Sequence, residues 1–97
     1  MHYRFEWDNA KARANVAKHG VTFDEARTVF TDRWAIETYD REHSIDEDRL
    51  MINGMSDHNR LLVVAFTLRD HETIRIISTR RAKRDEEQAY EENLRNP

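Results

Sequence analysis

Leu61-Leu62-Val63-Val64-Ala65-Phe66-Thr67-Leu68, then Arg69-Asp70-His71-Glu72, then Thr73-Ile74-Arg75-Ile76-Ile77-Ser78-Thr79 is the stretch that decides the fold. Its first run is nearly all apolar, as expected of a strand covered on both faces and central in its sheet. The polar tetrad is a turn and the β-branched run after it a second strand, so the two form a hairpin. Upstream, Leu50 to Met55 reads as another strand, joined to the first by the turn Ser56-Asp57-His58-Asn59. Trp34 to Tyr39 is rich in β-formers, and Asp40 to Asp48 is a polar loop. At the start, Tyr3 and Phe5 alternate with Arg4 and Glu6 in a short strand. Asp8 caps a helix over Asn9 to His19, with Ala10, Ala14 and Ala17 on its shared face and Gly20 as the left-handed residue that ends it. Thr22-Phe23-Asp24-Glu25 is a capping box, and Phe23, Ala26, Val29 and Phe30 form the apolar stripe of a second helix. A last helix runs from about Lys83 to Leu94, its buried face holding Tyr90 and Leu94 beside Glu86 and Ala89. The order predicts one α+β domain over residues 1–97, an antiparallel sheet flanked by two N-terminal helices and one C-terminal helix.

Composition agrees with a small globular domain. The chain has 97 residues, 38% apolar and 36% charged, with two Gly, one Pro and no Cys. Nine aromatics argue against disorder, and the lack of Cys excludes disulfide and thiolate chemistry. The longest apolar run, Leu61 to Phe66, is far below the ~20 residues of a membrane span. The first residues lack the apolar stretch of a signal peptide, and the expected location is cytoplasmic. Net charge is −3, but its distribution is uneven. Residues 31–59 and 85–97 are acidic, whereas 60–84 hold Arg60, Arg69, Arg75, Arg80, Arg81, Lys83 and Arg84 against only Asp70 and Glu72. A net acidic protein repels polyanions at long range, so phosphate binding must be confined to one place.

The basic block is the first candidate site. Strand alternation puts Arg75 and Arg81 on one face, where a hairpin can add Arg69. The same arginines can equally pair with the acids of the flanking segments on a solvated face. Lys18 and His19 close the first helix, either as phosphate contact and general base or as complements to the helix dipole. Asp40, Glu42, Ser44, Asp46 and Asp48 alternate like a calcium loop, but Ile45 occupies the position that requires glycine. The five histidines (His2, His19, His43, His58, His71) have neither paired i, i+4 spacing nor Cys neighbours, so no metal site or cofactor is expected. No phosphate-binding glycine loop or nucleophile elbow is present.

Several segments together resemble a known family. Phe5-Glu6-Trp7-Asp8 with Lys11 and Asn15, Lys18-His19-Gly20-Val21, Phe23-Asp24-Glu25-Ala26 and Val29-Phe30 are similar to the opening of the BrnT toxins. Glu47-x-Arg49, Gly54, Arg60 to Val64, Ile74-Arg75-Ile76-Ile77-Ser78-x-Arg80-Arg81-Ala82, Glu86 and Tyr90 continue the pattern. The chain departs from it at Asp32-Arg33, where the family often has Pro, at Asn53 before Gly54, and at Lys83, where a hydroxyl residue is common.

The resemblance implies a RelE-like fold and a type II toxin, a metal-independent endoribonuclease that inhibits translation. Such an enzyme uses the RNA's own 2′-hydroxyl against the adjacent phosphate and needs proton-transfer groups and cations there. By position, the implied site residues are Arg80 and Arg81, with Arg69, Lys18, His19, Glu86 and Tyr90. The implied partner is a ribbon-helix-helix antitoxin of BrnA type, through which operator DNA is reached only indirectly; RNA is the substrate and no membrane is involved. A non-catalytic interaction domain that keeps the fold and the antitoxin surface is the alternative.

Overall fold

The computed structural model describes residues 3–45 and 47–97. Of the residues singled out above, His2 among the histidines and Asp46 among the alternating acids lie outside the described residues. Five strands, β1 (Arg4–Glu6), β2 (Ile36–Tyr39), β3 (Leu50–Met55), β4 (Leu61–Arg69) and β5 (Thr73–Arg81), form one sheet in the order β1-β5-β4-β3-β2. The apolar run is the central strand, and Leu62 to Thr67 are all buried. The sheet is not wholly antiparallel as expected: β1 pairs with β5 in parallel, Phe5 opposite Ile74. A parallel pair needs a long crossover, and everything between β1 and β5 supplies it.

Local chemistry sets the helices. Asp8 accepts the Lys11 N–H at 3.1 Å and opens α1 (Asn9–His19); Gly20, with φ 69°, closes it. Thr22 accepts the Glu25 N–H at 3.0 Å and opens α2 (Phe23–Thr28), which tightens into a 3₁₀ turn over Val29–Thr31. Only half of the expected capping box forms, because the Glu25 carboxylate turns inward to other partners. Val21, Phe23, Ala26 and Val29 pack with Ile52, Leu62, Val64, Phe66, Ile74 and Ile76 in the core on one face of the sheet. Phe30 stands edge-on to both Phe5 and Phe66, at 5.3 and 4.9 Å between centroids. Gly54 lies beneath the 3₁₀ turn, where a Cβ would come within 2.8 Å of Ala35 Cβ and 2.9 Å of Val29 Cγ1.

Two helix faces differ from expectation. Ala10, Ala14 and Ala17 are exposed, and α1 instead turns Ala12 and Asn15 inward. The reason is polar: Asn15 Nδ2 donates to the carbonyls of Val21 and Thr79, both at 2.9 Å, and its Oδ1 accepts the Thr79 N–H at 3.1 Å. The final helix, α3 (Arg84–Arg95), crosses the opposite face of the sheet, and Leu94 and Ala89 on it are exposed. Hydrogen bonds set its rotation instead. Asn53 Nδ2 donates to the Glu86 carbonyl at 2.8 Å, Tyr90 Oη to Asp32 at 2.6 Å, and Asn93 Nδ2 to the Trp34 carbonyl at 2.8 Å.

Glu25 is a buried joint between α2 and the β3–β4 turn. It pairs with Arg60 through both carboxylate oxygens, accepts Ser56 Oγ–H at 2.7 Å and lies 3.2 Å from His58 Nδ1. The Arg60 guanidinium holds its carboxyl at about 2, against the opposing effect of burial. A carboxyl ionised more readily folded than unfolded stabilises the fold above its unfolded value, and that stabilisation is lost as pH falls towards 2. From an unfolded value near 4.5, the difference corresponds to roughly 3 kcal/mol. Glu25→Gln is therefore expected to flatten the fall of stability between pH 5 and 2, read from urea midpoints; an unchanged slope contradicts the joint. Asn15→Ala leaves three backbone groups without their partner and is expected to cost about 3 kcal/mol in the same measurement at pH 7. A loss under ~1 kcal/mol there contradicts the clamp.

Candidate active site

The hairpin does not collect its arginines as alternation predicts. Ala65 pairs with Ser78 and Phe66 with Ile76, so Ile77 is an extra residue in β5. This bulge reverses the sidedness of everything beyond it. Ile74, Ile76 and Thr79 face the core, whereas Arg75, Ser78 and Arg80 share the opposite face and Arg81 is turned away from them. Arg75 pairs with Glu6 at 2.9 Å. Arg69 pairs with Glu47 at 3.3 Å and lies six residues along β4 from Val63, the partner of Arg80. At ~3.3 Å per residue that is roughly 20 Å from Arg80.

Arg80 is the centre of what remains. Its Nη1 and Nη2 donate to Glu86 Oε1 and Oε2 at 2.7 and 2.8 Å, a bidentate pair, and Nη1 also reaches the Arg81 carbonyl at 3.2 Å. Glu86 Oε1 additionally accepts the Lys83 N–H at 2.7 Å. Lysine has no acceptor for the start of α3, so the carboxylate three residues later caps the turn from inside. The Arg80 guanidinium and the Lys83 N–H hold the Glu86 carboxyl below the usual range despite burial, and Glu86 in turn raises Arg80. A guanidinium carries five N–H donors, and among the described residues these contacts leave Nε–H and one Nη2 hydrogen of Arg80 for a ligand.

Around Arg80 the non-core face of the sheet opens into a cleft of about 490 Å³. Its floor is Met51, Val63, Ala65 and Ser78, and its polar rim includes His19, Asp40, His43, Arg49, Arg80 and Lys83. His19 enters at the end of α1, beside the part of β5 that β1 no longer covers. Of the residues proposed from sequence, Arg80 and His19 meet at this cleft, and Glu86 supports it through Arg80. Lys18 is exposed next to His19, while Arg69 and Arg81 are elsewhere. Tyr90 is buried, and its hydroxyl is committed to Asp32. Burial and that hydrogen bond push the Tyr90 phenol up to about 12, so it is a fixed donor at neutral pH. Asp32, although burial opposes its charge, is kept below the usual range by Tyr90 and by the N–H groups of Met55 and Trp34.

Sequence reasoning missed Lys83, Arg49 and His43 as cleft residues. Lys83 stands out as one cation of the basic block and as a departure from the family pattern, and Arg49 only as part of that pattern. The one local signal for His43 is Asp40 three residues earlier, across a single turn.

Comparison with known proteins identifies the family and the fold. Residues 7–86 match the family described as the ribonuclease toxin BrnT of type II toxin–antitoxin systems. No curated protein matches the chain. The crystal structure of the Brucella abortus ribonuclease toxin BrnT superimposes with a TM-score of 0.62 at 25% identity, covering 84% of this chain and 99% of that one. Since the family match takes in most of the sequence, from Trp7 through the cleft arginine to Glu86, the chain belongs to the BrnT family of type II toxin–antitoxin ribonuclease toxins.

Proposed function

We propose that the chain is a metal-independent endoribonuclease that inhibits translation, cutting RNA in the cleft at the end of β5. The observation that carries this reading is the gathering of Arg80, Lys83, Arg49 and His19 around one open cleft in a protein of net charge −3. RNA supplies its own nucleophile. The 2′-oxygen attacks the adjacent phosphorus, the bond to the 5′-oxygen breaks, and the products are a cyclic phosphate and a 5′-hydroxyl. One group takes the 2′-proton and another returns a proton to the leaving oxygen. In the pentacovalent transition state, charge grows on the non-bridging oxygens. Arg80, held rigid by Glu86, meets that charge with the donors it has left, and Lys83 adds a second cation. His19 serves as one of the proton-transfer groups. Lys18 and Arg81 contact flanking phosphates and Arg69 the more distant backbone, while Tyr90 keeps α3 and Glu86 in place.

The partner is a ribbon-helix-helix antitoxin of BrnA type, which binds operator DNA itself and brings the toxin along. The acidic segments 31–59 and 85–97 offer a basic antitoxin complementary charge. RNA as substrate places the protein in the cytoplasm. Among the described residues no helix is long and apolar enough to cross a membrane.

Purified chain incubated with 5′-labelled RNA in EDTA is expected to cut, leaving cyclic-phosphate ends. Arg80→Ala should lose at least ~100-fold in rate, as when one preorganised donor to a developing oxyanion is removed. Arg81→Ala, on the other face, should lose less than ~10-fold. Equal losses in the two variants contradict the assignment of Arg80. No cutting by folded wild-type chain, alone or in a ribosome-containing extract, favours the interaction-domain reading.

A further inference from the structure

We infer that His43, oriented by Asp40, is the general base of the cleft and faces His19 as the second proton-transfer group; this rests on the ribonuclease reading above. Asp40, Ser44 and Arg49 are tied together by backbone and hydroxyl hydrogen bonds. Asp40 N–H donates to the Arg49 carbonyl at 2.8 Å, and Ser44 Oγ donates to the Asp40 carbonyl at 2.6 Å while accepting the Arg49 N–H at 2.9 Å. One 3₁₀ turn, Arg41–His43, then carries the imidazole back over Asp40. His43 Nδ1 lies 3.1 and 3.0 Å from Asp40 Oδ1 and Oδ2. The Asp40 side chain is only 12% exposed, and Arg49 Nε stands 3.5 Å from its Oδ2.

An ionised carboxylate only accepts hydrogen bonds, so Nδ1 must carry the proton and the neutral imidazole keeps its lone pair on Nε2. The ring is more than half exposed and lines the same cleft as His19, Arg80 and Lys83. Nε2 therefore can take the 2′-hydroxyl proton as the 2′-oxygen bonds to phosphorus. Asp40 stabilises the imidazolium that forms, and His19 protonates the departing 5′-oxygen. Of the five histidines, His58 and His71 sit on the β3–β4 and β4–β5 turns, and neither lines this cleft. Asp40 is a positioning residue, because it acts through the ring and not on the RNA.

Cleavage of 5′-labelled RNA by wild type, His43→Gln, Asp40→Asn, Arg80→Ala and the turn control His71→Asn tests this, with RNA affinity measured in parallel. His43→Gln is expected to lose ~10²–10⁴-fold in kcat, the usual worth of a general base, with RNA affinity nearly unchanged. Asp40→Asn should lose less. Long-range ¹H–¹⁵N NMR should find the His43 proton on Nδ1 in wild type and lose that preference in Asp40→Asn, a change that mere loop destabilisation does not produce. His71→Asn, at a position with φ 60° that asparagine tolerates, should match wild type. If His43→Gln cuts like wild type while Arg80→Ala does not, the base assignment falls and the ribonuclease reading stands. If folded wild type cuts no RNA even with ribosomes, both fall together.

Discussion

Beyond Glu6↔Arg75, the last pair between β1 and β5, no strand among the described residues pairs with the outer side of β5, and the amide of Asn15 takes the place of one. It bonds both backbone polar groups of Thr79, as a paired strand would, and also holds the Val21 carbonyl just past the end of α1. A buried peptide edge left bare is costly, so this position tolerates little else. The consequence is geometric. His19 is one turn beyond Asn15, and Arg80 is the residue after Thr79. One side chain therefore sets the distance between the histidine and the arginine of the cleft.

Arg80 is oriented by a different device. α3 contributes little apolar surface to the fold and is registered by single hydrogen bonds to Asn53, Asp32 and Trp34. Its first turn delivers Glu86, which meets Arg80 from the inside and the Lys83 N–H at once. Charge is thereby spent on orientation as much as on binding. A partly buried guanidinium needs a counter-charge to stay ordered, and the bidentate pair still leaves donors for a phosphate. A lysine, which has no acceptor to offer, stands at the start of this helix, and the carboxylate alone completes the turn.

Element order and most boundaries are legible in the sequence because they follow from local signals: Asp8, Gly20 and Thr22 as caps, the apolar run of β4, the polar turns. Less legible is which stripe of a helix faces inward. The alanines of α1 and Leu94 of α3 mark faces by apolarity, yet Asn15, Tyr90 and Asn93 turn those helices because their polar partners lie elsewhere in the chain. The extra residue Ile77 is equally silent in one strand read alone, since a bulge exists only relative to the register of its partner. It is what puts Arg80, and not Arg81, on the face that carries Arg75.

By itself, then, the sequence determined the α+β class, the caps and turns, the central place of β4, and the uneven spread of charge along an acidic chain. Those properties depend on residues near one another in the chain. Tertiary structure alone decided the parallel seating of β1, which arginine faces the cleft, and the meeting of His19, His43, Arg80 and Lys83 there. Each of these depends on the pairing of segments distant in sequence, where one residue of register moves a side chain to the other side of the sheet.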